Sequence, residues 1–418
     1  MARSLVVAEE HGPESRYRLL ETIRQYSEQR LDQAGEAQRW RARHASYYAG
    51  LLSRVRDRAH GHREEILWAV RISAEQDNLL AAWSWAIDTG SVGTAFQMLA
   101  GFAPREVWNT YPLVLAGEAA LELPGAAEHP GYPLALAVTA VFASIRGDVT
   151  GAEELSGRAA EVNARRDPPD WRVEETISAA RGIIATSTGA FADAARLTEQ
   201  AAGIARAGGD LADASLELAI AASGHVLVGD APAAAPLANE ALALARQIGA
   251  PDLVAIGLLA VGLAVAGADP ERARACLRES RELSTALAYN SLIDHVLATE
   301  LAFLTGDRTA TLELGRSALR GLQWGGGLRM GIILHMIADV LSETRPAAAE
   351  IIHGAAGAYA VAPPNPAAPR RAVPAAVDQE RARELRARGA DMDWDQAIAY
   401  TLTQTTQALG ELESQTQP

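Results

Sequence analysis

Lysine is absent from this sequence of 418 residues, so all 38 basic residues are arginine. The absence removes whole mechanisms. A P-loop of the GxxxxGK[ST] type needs a Lys ammonium on the β- and γ-phosphates. Schiff-base chemistry needs a Lys amine, and a protein kinase needs its β3 lysine. Cysteine is nearly as scarce. Cys276 stands alone, which excludes internal disulfides and multi-cysteine zinc sites. Aromatics make up only 5% of the chain. Val, Ile, Thr and aromatics form no alternating runs beyond the first residues, so a sheet protein is not expected. Long apolar runs are missing too. The longest stretch free of charge and proline, Leu253–Ala268, has 16 residues. That is short of the roughly 20 that span a bilayer, and it reads as a buried helix. Ser4–Ala8 is too short for the apolar region of a signal peptide. A soluble, cytoplasmic protein is the expectation.

What is abundant is alanine, 87 residues or about a fifth of the chain. Alanine is the best helix former, and its small side chain lets helix axes approach. The charge is uneven. Residues 1–63 hold 12 Arg and 8 acids, a net of +4, while the other 355 hold 26 Arg and 44 acids, a net of −18. The bulk is therefore a poor generic nucleic-acid binder. The basic stretch suits either an acidic partner or a solvated helix face.

The chain opens with a β-prone run, Ser4–Glu9, a turn-rich break at residues 11–15, and a second strand candidate, Tyr17–Leu20. A helix is expected from Glu21 to Ala34. Helices are also expected over Ala37–Val55 and Ala74–Ile87, from apolar residues at helical spacing. Further on the sequence repeats. Gly147 is followed by Ala152, Leu155 and Ala159; Gly189 by Ala194, Leu197 and Ala201; Gly229 by Ala234, Leu237 and Ala241. Gly267, with one extra residue, is followed by Ala273, Cys276 and Ser280, and Gly306 by Thr311, Leu314 and Ala318. The glycines lie 42, 40, 38 and 39 residues apart. Each glycine is expected to end one helix in the left-handed region. Asp148, Asp230, Asp269 and Asp307 are placed to cap the next helix. The small residues are expected to seat the neighbouring helix, with the leucine between them filling the gap. Such hairpins bury their faces only by stacking, which predicts a solenoid. The array is expected to end near Ala347–Ala358. A proline-rich stretch, Ala360–Ala376, follows, then helices over Asp378–Ala387 and Trp394–Leu412.

Three N-terminal motifs, at residues 16–26 (RYRLLETIRQY), 43–48 (RHASYY) and 75–83 (EQDNLLAAW), resemble the region joining the winged helix of NB-ARC (STAND-class) ATPase regulators to their helical repeats. These are actinobacterial LuxR-type or cyclase-linked proteins. The ending at 388–397 (RGADMDWDQA) is similar to the close of the same repeat domains. The resemblance implies an all-α fold, a TPR-like right-handed α-solenoid carrying a short β-hairpin remnant of a winged-helix domain. It implies a winged-helix remnant over 1–35, a helical adaptor with the first repeats over 36–130, and repeats of about 40 residues over 131–358. A Pro-rich linker over 359–377 and capping helices over 378–418 complete the division. It also implies a sensor and scaffold that binds a protein partner or small inducer on its concave face and gates a separate ATPase or cyclase. The sequence departs from the family. It has neither the upstream P-loop ATPase nor the C-terminal helix-turn-helix, so a fragment, a split gene product or a solo adaptor is expected. Leu20-Glu21 stands nearest to the nucleotide-sensing His-Asp pair of relatives and cannot do that work.

The chemistry-bearing residues are scattered. His60-Gly61-His62 with Glu64 and Glu65 fits no standard metal spacing. Cys276 takes the place that leucine holds in other repeats and is expected to pack as a small hydrophobe. His44 sits among helix-packing aromatics, and His225, His295, His335 and His353 lie singly in repeat helices. Arg16, Arg18 and Arg24 are the candidates for a phosphate or partner contact, since arginine suits bidentate phosphate binding. Trp324-Gly325-Gly326-Gly327 reads as a loop or hinge. No catalytic, cofactor or metal residue is assigned. The expected function is a non-enzymatic sensor or scaffold region of a transcriptional regulator. The alternatives are a DNA-associated transcription factor using the basic N-terminal segment, and a hydrolase hidden in the groove.

Overall fold

A computed structural model describes residues 6–11, 14–58, 68, 71–72, 74–101, 117–287, 292–322, 327–359 and 378–416. The expected proline-rich linker, the His60–Glu65 group and most of the Trp324 loop lie outside the described residues. The chain opens with an antiparallel hairpin, β1 (Val6–His11) and β2 (Glu14–Leu19), in register from Val6 opposite Leu19 to His11 opposite Glu14. That register draws His11, Glu14 and Ser15 into the ladder, so the break is shorter than the sequence suggested. Helix α1 (Glu21–Ala34) has the expected span and buries none of its residues. Helices α2 (Ala37–Arg58), α3 (Gln76–Asp88), α4 (Val92–Gly101) and α5 (Gly117–Leu121) follow. They pack around Leu52, Leu79, Trp83, Phe96 and Leu99.

Six helical pairs come next. They are α6 (Tyr132–Ile145) with α7 (Val149–Ala164), α8 (Trp171–Ser187) with α9 (Phe191–Ala207), and α10 (Leu211–Leu227) with α11 (Ala231–Ile248). Then come α12 (Pro251–Val265) with α13 (Pro270–Leu287), α14 (Leu292–Leu304) with α15 (Arg308–Leu322), and α16 (Gly327–Leu341) with α17 (Pro346–Tyr359). Each helix packs on the next in sequence. The first helix of a pair also packs on the first helix of the following pair: α6 on α8, α10 on α12, α12 on α14. These first helices are buried nearly all round. In α12 every residue from Leu253 to Ala264 except Val254 is buried. The second helices are amphipathic, with one buried stripe. Two closing helices, α18 (Gln379–Ala390) and α19 (Trp394–Thr416), end the described chain. Helix α19 lies across α15, α16 and α17 and covers their open side.

The turns follow the sequence logic closely. Gly147, Gly189, Gly229 and Gly306 take φ between 75° and 82°. Gly267 does not. The extra residue there continues the helical winding, and the N–H groups of Ala268 and Asp269 both return to the Val265 carbonyl, at 3.0 and 2.8 Å. All four expected aspartate caps form: Asp148, Asp230, Asp269 and Asp307 accept from the N–H of Gly151, Ala233, Arg272 and Ala310 at 2.9–3.1 Å. In the second pair alanine stands at this place. Ala190 (φ −82°, ψ 58°) has nearly the backbone of Asp230 (φ −96°, ψ 65°) but caps nothing. Because an N-cap carboxylate satisfies an otherwise orphaned donor, Ala190→Asp is expected to stabilise the chain by about 1 kcal/mol, read as a rise in the urea midpoint.

The stripe on the second helices differs from expectation. The small residues are closed off as expected: Ala152, Ala159, Ala234 and Ala241 are fully buried. The leucines between them, Leu155, Leu197, Leu237 and Leu314, are only half-buried. The seat is instead completed one residue later, by Ser156, Thr198, Ala238, Leu277 and Gly315. At 100° per residue, i+4 lies 40° from i, whereas i+3 lies 60° away on the other side. The packed face is therefore centred on i, i+4 and i+7, and i+3 sits at its edge.

Candidate functional site

The apolar core is not continuous. One cluster ends at Val173, Ile177 and Ala180 of α8. The next begins at Ala202 of α9 and at Ala212 and Leu216 of α10. The division falls where α8 and α10, successive first helices, should touch. Their backbones approach each other less closely than those of α6 and α8 or of α10 and α12. The seam between them carries buried polar groups, Glu175 from α8 and Glu217 and Ser223 from α10, whereas the Ser215 hydroxyl of α10 donates to the Ala241 carbonyl of α11 at 2.9 Å.

Local chemistry fixes this seam. Helix α8 starts at Asp170, whose side chain accepts from the Arg172 N–H at 3.1 Å. The Asn163 amide grips the Asp170 backbone from both sides, at 3.0 and 3.1 Å. Helix α10 starts at Asp210, which accepts from the Asp213 N–H at 3.0 Å. Both starts are thus pinned, and they bring Glu175 to face α10. Glu175 is 4% exposed. Its Oε2 accepts from the Thr176 hydroxyl at 3.3 Å, and its Oε1 has no hydrogen-bond partner. Burial raises its carboxyl well above the usual range, and the carboxylates of Asp213, Glu217 and Asp210 raise it further. Desolvation and like charge act in the same direction here.

At its other end the seam is closed by helices from far along the chain. Ile332 and Met336 of α16 meet Phe191, Leu227 and Phe303, and α16 touches α8 directly. Thr186, Thr198, Ser223 and Glu300 bring polar groups to the same place. The free space there is about 20 Å³, enough for one water and too little for a drug-sized ligand.

A second polar cluster joins α16 to α17. His335 Nδ1 lies 3.0 Å from His353 Nδ1, and His353 Nε2 lies 3.2 Å from Asp339 Oδ1. Only one of the facing nitrogens can carry a proton. Burial pushes His335 down to about 4; His353 and Arg386 lower it too, while Asp339 raises it. A histidine whose folded pKa lies below its unfolded one binds fewer protons when folded. It therefore costs stability as pH falls. Stability is expected to drop between about pH 6.5 and 4, and His335→Leu should flatten that limb in urea titrations.

The residues singled out by sequence take structural parts. Arg24 pairs within its own helix, with Glu21 at 2.6 Å and Glu28 at 2.8 Å. Arg16 and Arg18 lie on β2 opposite Glu9 and Val7. His44 and Tyr48 of the second motif meet Glu75 and Asn78 of the third. The Tyr48 hydroxyl and the Asn78 amide both donate to Glu75 Oε2, at 2.9 and 2.6 Å, and His44 Nε2 lies 3.4 Å from Asn78 Oδ1. The motifs are thus a polar knot between α2 and α3. His225 lies 2.6 Å from Glu199. Burial lowers His295 and raises the Cys276 thiol, and Cys276 packs in the core as expected. Glu175 was missed. Nothing in its neighbours distinguishes it from the solvent-facing acid beside it, Glu174. Among the described residues, no three His, Cys, Asp or Glu side chains converge as metal ligands. No helix among them is long and apolar enough to cross a membrane.

No protein-family model matches the chain. Curated mycobacterial proteins do resemble it. They are "Putative HTH-type transcriptional regulator Rv0890c" of Mycobacterium tuberculosis and the similarly named Mb0914c of Mycobacterium bovis. Each is 29% identical over 361 residues, which cover 84% of this chain and 36% of the relative. The chain thus spans about a third of the length of the curated relatives it matches. These relatives are named as putative HTH-type transcriptional regulators.

Proposed function

We propose that this chain is a non-enzymatic sensing and scaffolding region of a signal-responsive transcriptional regulator. On this reading the six helical pairs form a TPR-like right-handed α-solenoid that works in the cytoplasm. Its inner, first-of-pair helices offer a partner or small inducer a polar seam. The observation that carries the reading is that seam: two buried carboxylates, Glu175 and Glu217, lie where one apolar cluster gives way to the next, in a chain whose relatives are named as regulators. Buried polar groups weaken packing unless they are satisfied, so a polar break in a repeat core favours a recognition role. The family resemblance adds a separate ATPase or cyclase as the partner to be gated.

The test is a pull-down of the tagged chain from lysate of its source, paired with transcript profiling after gene deletion. Recovery of an ATPase, cyclase or DNA-binding partner together with altered transcripts is the expected result. A chain recovered alone, from cells whose transcripts do not change on deletion, would overturn the reading.

A further inference from the structure

Helix α2 is a basic exception in an acidic chain. It carries six arginines and one acid, Asp57, whereas the sequence beyond residue 63 has a net charge of −18. One side of α2 is closed into the first apolar cluster through Ala45, Ala49, Leu52 and Val55. The other side is open. At the helical period, Trp40, Arg43, Tyr47 and Arg54 fall within about 60° of one another. Trp40 is 44% exposed and Tyr47 51%, and Arg39, Arg43 and Arg54 are exposed with them. The arginines lie over the rings. Arg39 and Arg43 stand 6.0 and 5.5 Å from the Trp40 centroid, and Arg54 stands 5.7 Å from that of Tyr47. Among the described residues no carboxylate pairs with any of these three. We propose that this face docks an acidic segment of a partner protein. Its carboxylates take the guanidinium groups, and its apolar side chains seat on Trp40 and Tyr47. This is a second surface, on a different helix from the seam, and it holds whether or not the seam binds anything.

Charge and side-chain type select the occupant. A guanidinium laid on an aromatic face keeps its N–H donors for a carboxylate, which it can grip with two parallel bonds. Trp, Tyr and Arg are the side chains that carry most of the energy at protein interfaces. Tyr47 is already held in place. It meets the Tyr48 ring edge-on at 5.1 Å, and the Tyr48 hydroxyl is fixed on Glu75, so little side-chain freedom is lost on binding. The extent of the stripe suits a short segment. From Trp40 to Arg54 it runs about 21 Å along the helix. Acids stand at its Trp40 end: Glu36 accepts from Trp40 Nε1 at 3.3 Å, and Asp32 lies 3.9 Å from Arg41. A long nucleic acid would leave the stripe and meet the negative field of the rest of the chain. A peptide with a few carboxylates stays within it.

Fluorescence anisotropy on the purified full chain tests this. The probe is a labelled helix-forming peptide of Glu and Leu, about 14 residues long to match the stripe. The same peptide with Gln for Glu and an oligothymidylate of equal length are the comparisons. Saturable binding of the Glu peptide is expected, tighter at low salt. It should weaken roughly tenfold or more in Trp40→Ala and in Arg43→Gln/Arg54→Gln. Arg383→Gln/Arg388→Gln removes the same charge from exposed sites on α18 and should leave binding unchanged. All these side chains are exposed, so each variant should keep the parent's circular dichroism and urea midpoint.

No binding of the Glu peptide overturns the proposal. So does equal binding of the Gln peptide, tighter binding of oligothymidylate, or equal weakening by the α2 and α18 double variants. Sedimentation velocity adds a further check: self-association abolished by Trp40→Ala would assign the face to a second copy of the chain and overturn the proposal too. The assay uses purified protein only, so its failure leaves the regulatory reading standing, and transcript profiling decides that reading separately.

Discussion

Replacing Gly389 by alanine is expected to destabilise the chain by about 3 kcal/mol and to release α18. Helices α17 and α18 cross with their backbones in contact. A Cβ on Gly389 would lie 1.9 Å from the Ile351 carbonyl oxygen, and one on Gly354 would lie 2.0 Å from the Arg386 carbonyl oxygen. Neither oxygen belongs to a flexible side chain, so relief requires moving a helix. Overpacking of this kind typically costs about 1–3 kcal/mol, and the reciprocal contact places this case at the upper end. Leu385 and the Arg386–Glu350 pair, 2.5 Å, would separate with it. Trypsin is a direct probe: α18 carries Arg381, Arg383, Arg386 and Arg388, and cleavage there should become fast. Gly357→Ala is the control. It lies in the same α17 with nothing within 4 Å of an added Cβ, so it should be neutral, or stabilising by up to about 1 kcal/mol from helix propensity. Equal behaviour of the two variants would contradict the crossing.

The second large effect concerns the seat on the flanking helices. Ala238→Leu is expected to cost about 3 kcal/mol, and Leu237→Ala, one residue away, less than about 1.5 kcal/mol. Ala238 is fully buried, between α11 and the helices on either side. Three more carbons there must push apart helices that are packed on each other at that place. Leu237 lies at the rim of the face and is half-buried, so truncating it removes little buried area and opens no closed cavity. Urea unfolding of both variants measures the order. The reverse order would restore the leucine-centred stripe that the sequence suggested.

The shift from i+3 to i+4 shows what kind of information was legible. The repeat, its 40-residue period and its glycine and aspartate punctuation were all visible, because each depends on residues within about four positions of one another. Helix α1 was placed to the residue for the same reason. The centre of the packed face was not. A leucine is the largest apolar residue in the motif and invites the central role, yet close approach of two helices favours the smallest side chains at the centre and leaves the leucine outside. The capping box of α19 was also within reach. Asp393 accepts from the Gln396 N–H at 2.9 Å, and Gln396 returns the contact to the Asp393 N–H at 3.2 Å, the reciprocal pattern that D-x-x-Q signals.

The candidate site was the least legible part. Glu175 sits in a stretch, Glu174-Glu175-Thr176, that reads as solvent-facing. It is buried because α6, α7 and α9 pack on α8 and α16 touches it from far along the chain. His335 and His353 lie singly in sequence and pair only because α16 and α17 are antiparallel neighbours.

The sequence by itself therefore determined the helical class, the turns of five of the six pairs, and the small-residue faces. Those are set by local backbone preference, capping and helical periodicity. Only the tertiary structure decided which polar groups lose their water. That depends on a core divided between α8 and α10, and on helix α16 returning to touch α8 across some 150 residues of chain. Desolvation is a property of the surroundings in space, and no pattern along the chain encodes it.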